Sequence, residues 1–350
     1  MELEAPGPAR RTRVVRIGST AVGAGDPVVV AGPCSVEPGY PEHARLIAAT
    51  GVDALRACVF KPRTHPDTFQ GMGVQALPLL LEARAATGLP LVSEVLSEAD
   101  AERLGNAVDA FQVGARNMQN IRLLEALGEI GRPVILKRGL SATVDEWVAA
   151  SEYLRRRGNH DVVLCERGIR TFEPRTRNTL DISSVLVVRD LTDLPVIVDP
   201  SHAAGRRELV PGLARAALAA GADGLLVEAH PVPEASWSDA GQAISLSELA
   251  DLVAGARGLA APRPPRTVAE GRAAIDRLDA EIAALLDARL RVSRQVQRLK
   301  REQGAPRVDP DREPEVVARY RSAAGDAGEA LAWALLAAAR GRAGRDRASA

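Results

Sequence analysis

Eight near-continuous apolar runs, rich in β-branched residues, constrain the fold of this chain more than any other feature. They are PVVVAGPCS (27–35), DALRACVFK (53–61), PLVSEV (90–95), AFQVGA (110–115), PVILKR (133–138), DVVLCERG (161–168), PVIVDPSH (195–202) and GLLVEAH (224–230). None alternates apolar with polar residues, so each reads as a strand covered on both faces, and strands of that kind form parallel sheets. Amphipathic stretches such as VQALPLLLEARAAT and LVPGLARAALAAG lie between them. Eight βα units over about 230 residues fit a closed (β/α)8 barrel, assigned here to residues 27–259. The competing doubly wound open sheet would usually use fewer strands. Residues 1–26 form an N-terminal arm, within which RVVRIGSTAVGAGD (13–26) has the form of a short hairpin able to cap the bottom of the barrel.

The character of the chain changes at AAPRPPR (260–266), where three prolines in seven residues read as a linker. Residues 267–350 then form a small all-α domain. It opens with the capping-box spacing of Thr267 and Glu270. Ile275, Leu278, Ile282, Leu285, Leu286, Leu290, Val292, Val296 and Leu299 continue as a stripe at helical spacing, up to Gly304. A second helix is expected from Asp309 and Pro310, and a third over GEALAWALLAAARGR. The first helix, at 1.5 Å per residue, would run to about 50 Å. Two partners of half that length cannot cover it, so a homodimer or homotetramer is expected.

Charge removes some classes of partner. Lysine plus arginine equals aspartate plus glutamate at 45 each, which argues against a general nucleic-acid or membrane-surface binder. No window of 18 apolar residues occurs, and MELEAPGPARRTR lacks the order of a signal peptide, so a cytoplasmic location is expected. Three cysteines, Cys34, Cys58 and Cys165, are too few for a disulfide framework. A working cysteine here is a thiolate or a ligand; Cys58 and Cys165 fall mid-strand and read as core.

The unusual polar residues fall at the C-terminal ends of the apolar runs: Cys34; Lys61 and Arg63; Arg116; Lys137 and Arg138; Glu166 and Arg167; Asp199 and His202; Glu228 and His230. In a parallel barrel those ends converge on the face that carries chemistry. Arg56, if it points inward, adds a further cation. So many cations in a narrow mouth repel one another unless anions sit there, which points to phosphorylated, carboxylated small molecules. The bland alternative is that rim arginines pair with rim carboxylates such as Glu94 and Glu166. Cys34, His202, Glu228 and Asp239 come from the first, seventh and eighth runs and the loop beyond, neighbours once a barrel closes. A thiolate, an imidazole and two carboxylates suit one divalent transition metal of the Mn, Fe, Co or Zn class.

In order and spacing, AGPCSVE, FKPRTxPxxFQGxG, GARNMQN, KRG, CERGIRTFE, TRNTLDIS, VDPSHAAGRR and EAHPxPxxxxSD resemble the type I β branch of 3-deoxy-D-arabino-heptulosonate 7-phosphate (DAHP) synthase, over about residues 13–258. The resemblance implies metal-dependent condensation of phosphoenolpyruvate with erythrose 4-phosphate, the first step of the shikimate pathway. It implies phosphoenolpyruvate contacts from Arg116, Lys137 and Arg167 to the phosphate and from Arg56 and Lys61 near the carboxylate. Lys61 would also be the proton donor, and Arg63 and Thr64 would hold the acceptor phosphate. A related family, 3-deoxy-manno-octulosonate 8-phosphate synthase, typically has Lys-Ala-Asn-Arg-Ser-Ser where this chain has Lys61-Pro62-Arg63-Thr64. Departures from the family pattern are Ala57 and Cys58 in place of two glycines, His65 in place of serine, and Ala240 in place of glycine.

Beyond residue 267 the chain resembles the all-helical chorismate mutase. The resemblance implies that Arg272, Arg289, Lys300, Asp309, Arg312 and Glu313 bind chorismate or prephenate as substrate or effector, with Arg272 reaching the other subunit's site in a swapped dimer. Arg289 and Lys300 are 11 residues apart, which places them on one side of a helix. A glutamine of the family's last helix, which supports the ether oxygen, has no counterpart: aligned on Trp333, Gly344 takes its place and Arg340 that of a serine, and no glutamine follows Gln303. A regulatory or weakly catalytic helical domain is therefore expected, with a fully bifunctional enzyme as the alternative.

Overall fold

The eight apolar runs become eight parallel strands that close in sequence order, the last pairing with the first. They are β1 (Val28–Gly32), β2 (Ala54–Arg56), β3 (Leu91–Glu94), β4 (Ala110–Val113), β5 (Val134–Lys137), β6 (Val162–Glu166), β7 (Val196–Val198) and β8 (Gly224–Glu228). The register across the closing seam sets Glu228 opposite Gly32 and Gly224 opposite Val28. The expected (β/α)8 barrel is therefore present in this computed structural model, which describes residues 12–63, 65–258, 268–304, 306 and 308–339. The linker 260–266, Thr267 with its expected capping pair to Glu270, Thr64, Arg340 and Gly344 lie outside the described residues.

Strand residues divide by alternation between two cores, although both faces are apolar. Val29, Leu55, Leu91, Phe111, Val134 and Leu225 pack outward against the helices. Val28, Val30, Ala54, Val92, Ala110, Ile135, Val163, Cys165, Ile197 and Leu226 fill the barrel interior together with Val15, Ile17 and Val22. These last three belong to an antiparallel hairpin, Val15–Ile17 with Thr20–Val22. Thr20 Oγ1 donates to Asp53 O, just ahead of β2, and Arg13 N donates to Asp193 O, ahead of β7. The hairpin thus plugs the N-terminal end of the barrel and leaves the C-terminal end as the open one.

The second apolar run is expected to continue as strand to Lys61, with Cys58 inside it; the ladder instead ends at Arg56. Ala57 N still reaches Val92 O (2.7 Å), but Cys58 O then accepts from Val36 N (2.7 Å). Val59 N turns to Ser93 Oγ (3.3 Å), so the backbone leaves the sheet. The loop that follows is pinned by Lys61 N to Gln70 O (2.8 Å) and Gly73 N to Val59 O (2.9 Å). Gly71 passes so near that a Cβ there would lie 2.2 Å from Val59 O, at φ +92°. Cys58 and Cys165 are both buried.

The chain divides into two units, Met1–Ala261 and Pro262–Ala350. In the second, the first helix spans Val268–Glu302, 35 residues. The expected second and third helices follow within Arg312–Ala339, separated by a kink at Ala324 and at Gly325, whose φ is 59°. Gly325 supplies the positive φ that a side chain would resist, and the axis changes there. Ile275, Ile282, Leu285 and Val292 of the first helix are each more than half exposed. Burial is concentrated in the third helix, at Gly328, Ala332 and Leu335.

Candidate active site and metal centre

Cys34 Sγ, one ring nitrogen of His202, and one carboxylate oxygen each of Glu228 and Asp239 lie within 4.8 Å of one another at the open end of the barrel. Cys34 follows β1 and Glu228 ends β8, so the seam that closes the barrel brings them together. His202 lies in the short helix Pro200–Ala204 after β7, whose N-cap is Asp199: its Oδ1 accepts from His202 N (2.9 Å). Asp199 Oδ2 lies 2.8 Å from His202 Nδ1, which turns Nε2 toward Cys34 Sγ (3.4 Å) and Glu228 Oε2 (3.9 Å). A histidine fixed through one nitrogen by a carboxylate, with the other facing converging donors, is the usual arrangement of a metal ligand. Gln242 Nε2 donates to Glu228 Oε2 (2.6 Å), and Glu228 Oε1 is buried without a hydrogen-bond partner. Asp239 has φ 52°, the one positive φ among described non-glycine residues. Strain of that kind concentrates at functional sites.

The electrostatics fit a divalent ion. Burial pushes the Cys34 thiol up to about 12, although Arg56 and Lys61 oppose it. Burial also pushes the Glu228 carboxyl up to about 7. Soft sulfur, imidazole nitrogen and hard carboxylate oxygens together make a donor set for a transition metal, and a divalent charge would stabilise their deprotonated forms.

Cations surround this centre. Arg56 is 1% exposed; its Nη2 lies 2.9 Å from Cys34 Sγ, while Nε and Nη1 are buried without hydrogen bonds. Lys61 Nζ contacts Cys34 Sγ and lies 2.5 Å from Asp239 Oδ2. Both face a cavity of ≈ 390 Å³, lined also by Arg63, Arg116, Lys137, Arg167, Arg170, Arg177, His65, Asn178 and Glu94. Lys137 pairs with Asp199 at 2.5 Å. Burial, with Arg177 adding repulsion, holds the Arg167 guanidinium below its ordinary value. Arg138 does follow the bland alternative, bound to Glu166 (3.1 Å) and Asp181 (2.8 Å), and it does not line the cavity.

Several cavity residues were not singled out from sequence, three of them on one loop. Arg170, Arg177 and Asn178 sit on the loop after β6, which is folded back by a bridge between Ile169 and Thr179. Arg177 reaches Asp239 Oδ1 (3.3 Å) and Gln242 Oε1 (2.9 Å). The available signal was the cluster of arginines at 167, 170, 175 and 177.

The helical unit gathers fewer of its expected residues. Arg272, Arg289 and Lys300 share one helix, but 28 positions separate the first from the last, about 42 Å at helical rise, so one copy cannot bring them to one ligand. Arg289 Nη1 is buried without a partner. Asp309 Oδ1 accepts from Arg312 N (3.1 Å), and Arg312 Nη1 reaches Glu315 (2.5 Å). Glu313 begins the same helix, its N–H 3.3 Å from Asp309 O.

A closed parallel barrel thus carries, at its open end, four side chains able to hold a metal ion beside a cation-lined cavity. Comparison with known proteins identifies the family. Residues 10–256 match the DAHP synthetase I family, and the chain belongs to that family. Residues 271–334 match chorismate mutase type II. Over 242 residues the chain is 46% identical to phospho-2-dehydro-3-deoxyheptonate aldolase of Thermotoga maritima, covering 69% of this chain and 72% of that protein. It is 31% identical over 245 residues to 2-dehydro-3-deoxyphosphooctonate aldolase of Nitrosococcus oceani, covering 64% and 86%. The crystal structure of the Thermotoga maritima DAHP synthase superposes with a TM-score of 0.68 at 45% identity, over 71% of this chain and 74% of that one. Among the described residues, no helix is long and apolar enough to cross a membrane.

Proposed function

We propose that the barrel condenses phosphoenolpyruvate with erythrose 4-phosphate to give DAHP and inorganic phosphate. The observation that carries the reading is the position of Arg56 and Lys61. Both are buried, both touch Cys34, and both face a cavity whose other walls are cationic. Cys34, His202, Glu228 and Asp239 would hold one divalent transition metal, which supplies Lewis-acid polarisation of the acceptor aldehyde when bound. Arg56 Nε and Nη1, which make no hydrogen bond although Nη1 lies 3.8 Å from Glu228 Oε2, are suited to the phosphoenolpyruvate carboxylate, and Arg116, Lys137 and Arg167 to its phosphate. So held, carbon 3 of phosphoenolpyruvate meets the aldehyde carbon, water adds at carbon 2, and phosphate leaves. Lys61 gives its proton to the new alkoxide. Arg63 and, outside the described residues, Thr64 hold the acceptor phosphate. The higher identity to the heptonate aldolase favours the four-carbon acceptor over the five-carbon one that an octonate product requires.

The acceptor assignment is open to a direct test. Arg63→Ala should raise the KM for erythrose 4-phosphate far more than that for phosphoenolpyruvate, by an interaction of roughly 1.5 to 3 kcal/mol. Equal changes in both KM values would move Arg63 out of the acceptor site.

For the helical unit the reading is mainly regulatory, with weak chorismate mutase activity. Two copies pairing along Val268–Glu302 would cover its exposed apolar stripe and bring Arg272 of one to Arg289 and Lys300 of the other. That cation set suits a dicarboxylate such as chorismate or prephenate. The missing glutamine removes a donor aimed at charge that develops only in the transition state, typically about 10² to 10³ in rate. Binding should persist while turnover drops. A ligand bound there can act on the barrel only by favouring one arrangement of the chain over another. Deleting residues 262–350 should leave DAHP formation intact and abolish any response to prephenate or chorismate. An unchanged inhibition curve after deletion, or chorismate rearrangement at ordinary family rates, would instead make this a fully bifunctional enzyme.

A further inference from the structure

Next to the Cys34 centre, but outside the cavity, a second set of ligating groups converges. Glu37, His43 and His230 each offer one atom, and all three atoms lie within 4.8 Å of one another. His230 Nε2 is 2.5 Å and His43 Nδ1 3.6 Å from the same oxygen, Glu37 Oε1. The two rings meet edge to face with centroids 4.6 Å apart.

We propose that Glu37, His43 and His230 form a second divalent transition-metal site, which ties the β8–β1 seam to the helix Tyr40–Ala48. Each ligand is set by contacts of the kind that orient ligands around bound metals. His230 Nδ1 lies within hydrogen-bond distance of both Val232 O (2.6 Å) and Val232 N (3.0 Å), which holds the ring with Nε2 toward the cluster. Glu37 Oε2 accepts from Trp237 N (2.9 Å), which leaves Oε1 facing the two rings. His43 Nδ1 is buried and has no hydrogen-bond partner. Ligand atoms around a tetrahedral zinc-like ion, with bonds near 2.0–2.1 Å, sit about 3.3 Å apart. The 3.6 Å spacing is already close to this, and the 2.5 Å contact opens by less than an ångström as the ion replaces the shared proton. Two imidazoles and one carboxylate leave a fourth position of a tetrahedral ion open.

Co²⁺ titration of the full chain, stripped of metal and followed by visible absorption, tests the proposal. Two equivalents should bind per chain, only one of them with a thiolate-to-cobalt charge-transfer band, from Cys34. His43→Ala, and separately Glu37→Gln, should keep that band and lose the second equivalent. A single equivalent in the wild type that carries the charge-transfer band, or two equivalents in both variants, would overturn the site. Should a variant fail to fold, anomalous scattering from wild-type crystals grown with Co²⁺ decides: a peak between the three side chains supports the site, and its absence overturns it. A missing charge-transfer band would count against the Cys34 centre, not against this one.

Discussion

Replacing Lys61 by methionine is expected to lower kcat by about 10²- to 10⁴-fold, the usual worth of a positioned proton donor, while leaving the metal content unchanged. Lys61 is 6% exposed, and its ammonium is gripped by Cys34 and by Asp239 at 2.5 Å. Burial alone would lower its pKa, but the neighbouring Cys34, Glu228 and Asp239 outweigh that and hold it above the ordinary lysine range. The side chain is therefore charged at any working pH, with a proton to give. Methionine keeps the length and the apolar stem but carries no proton. Arginine keeps the charge, yet its planar fork cannot occupy the point between sulfur and carboxylate, so Lys61→Arg should restore little. Steady-state kinetics with metal analysis of each variant decides the matter. A kcat within a few-fold of wild type would place the proton donor elsewhere.

Removal of the divalent metal is expected to take DAHP formation to background, and re-addition of a transition-metal ion to restore it. Glu228 Oε1 is buried without a partner, and burial pushes Cys34 and Glu228 toward their protonated forms. The quartet is thus built around a charge that the protein's own side chains replace only in part. Cys34→Ser exchanges a soft thiolate for a hard hydroxyl and should weaken metal binding without disturbing the barrel. Full activity in the chelated wild type or in the serine variant would remove the metal from the chemistry.

The barrel was legible because its strands are buried on both faces, so Val28–Val30, Val134–Leu136 and Val196–Val198 stand out without any periodicity. Cys34, His202 and Glu228 could be expected to come together because strand ends of a closed barrel converge, whereas Asp239 reaches them from the loop beyond the eighth strand. Loops followed other rules. Arg177 enters the cavity because the Ile169–Thr179 bridge folds its loop back; the arginine cluster marks that loop but not which of its side chains turns inward. Arg138 sits beside Lys137 in sequence, yet its neighbours Glu166 and Asp181 draw it away from the mouth. The second strand ends at Arg56, earlier than its apolar run, because Ser93 Oγ and Val36 N engage the backbone beyond it. The Glu37–His43–His230 cluster was invisible for the same reason: His43 lies on a helix, and only packing brings it to the strand ends.

The most direct measurement of the central claim is product formation by the purified full-length chain with phosphoenolpyruvate and either erythrose 4-phosphate or a five-carbon aldose phosphate, with and without a chelator. The account predicts phosphate release and a seven-carbon product from the four-carbon acceptor, abolished by the chelator, with little turnover of the five-carbon one. No product from erythrose 4-phosphate, or a preference for the five-carbon acceptor, would contradict it.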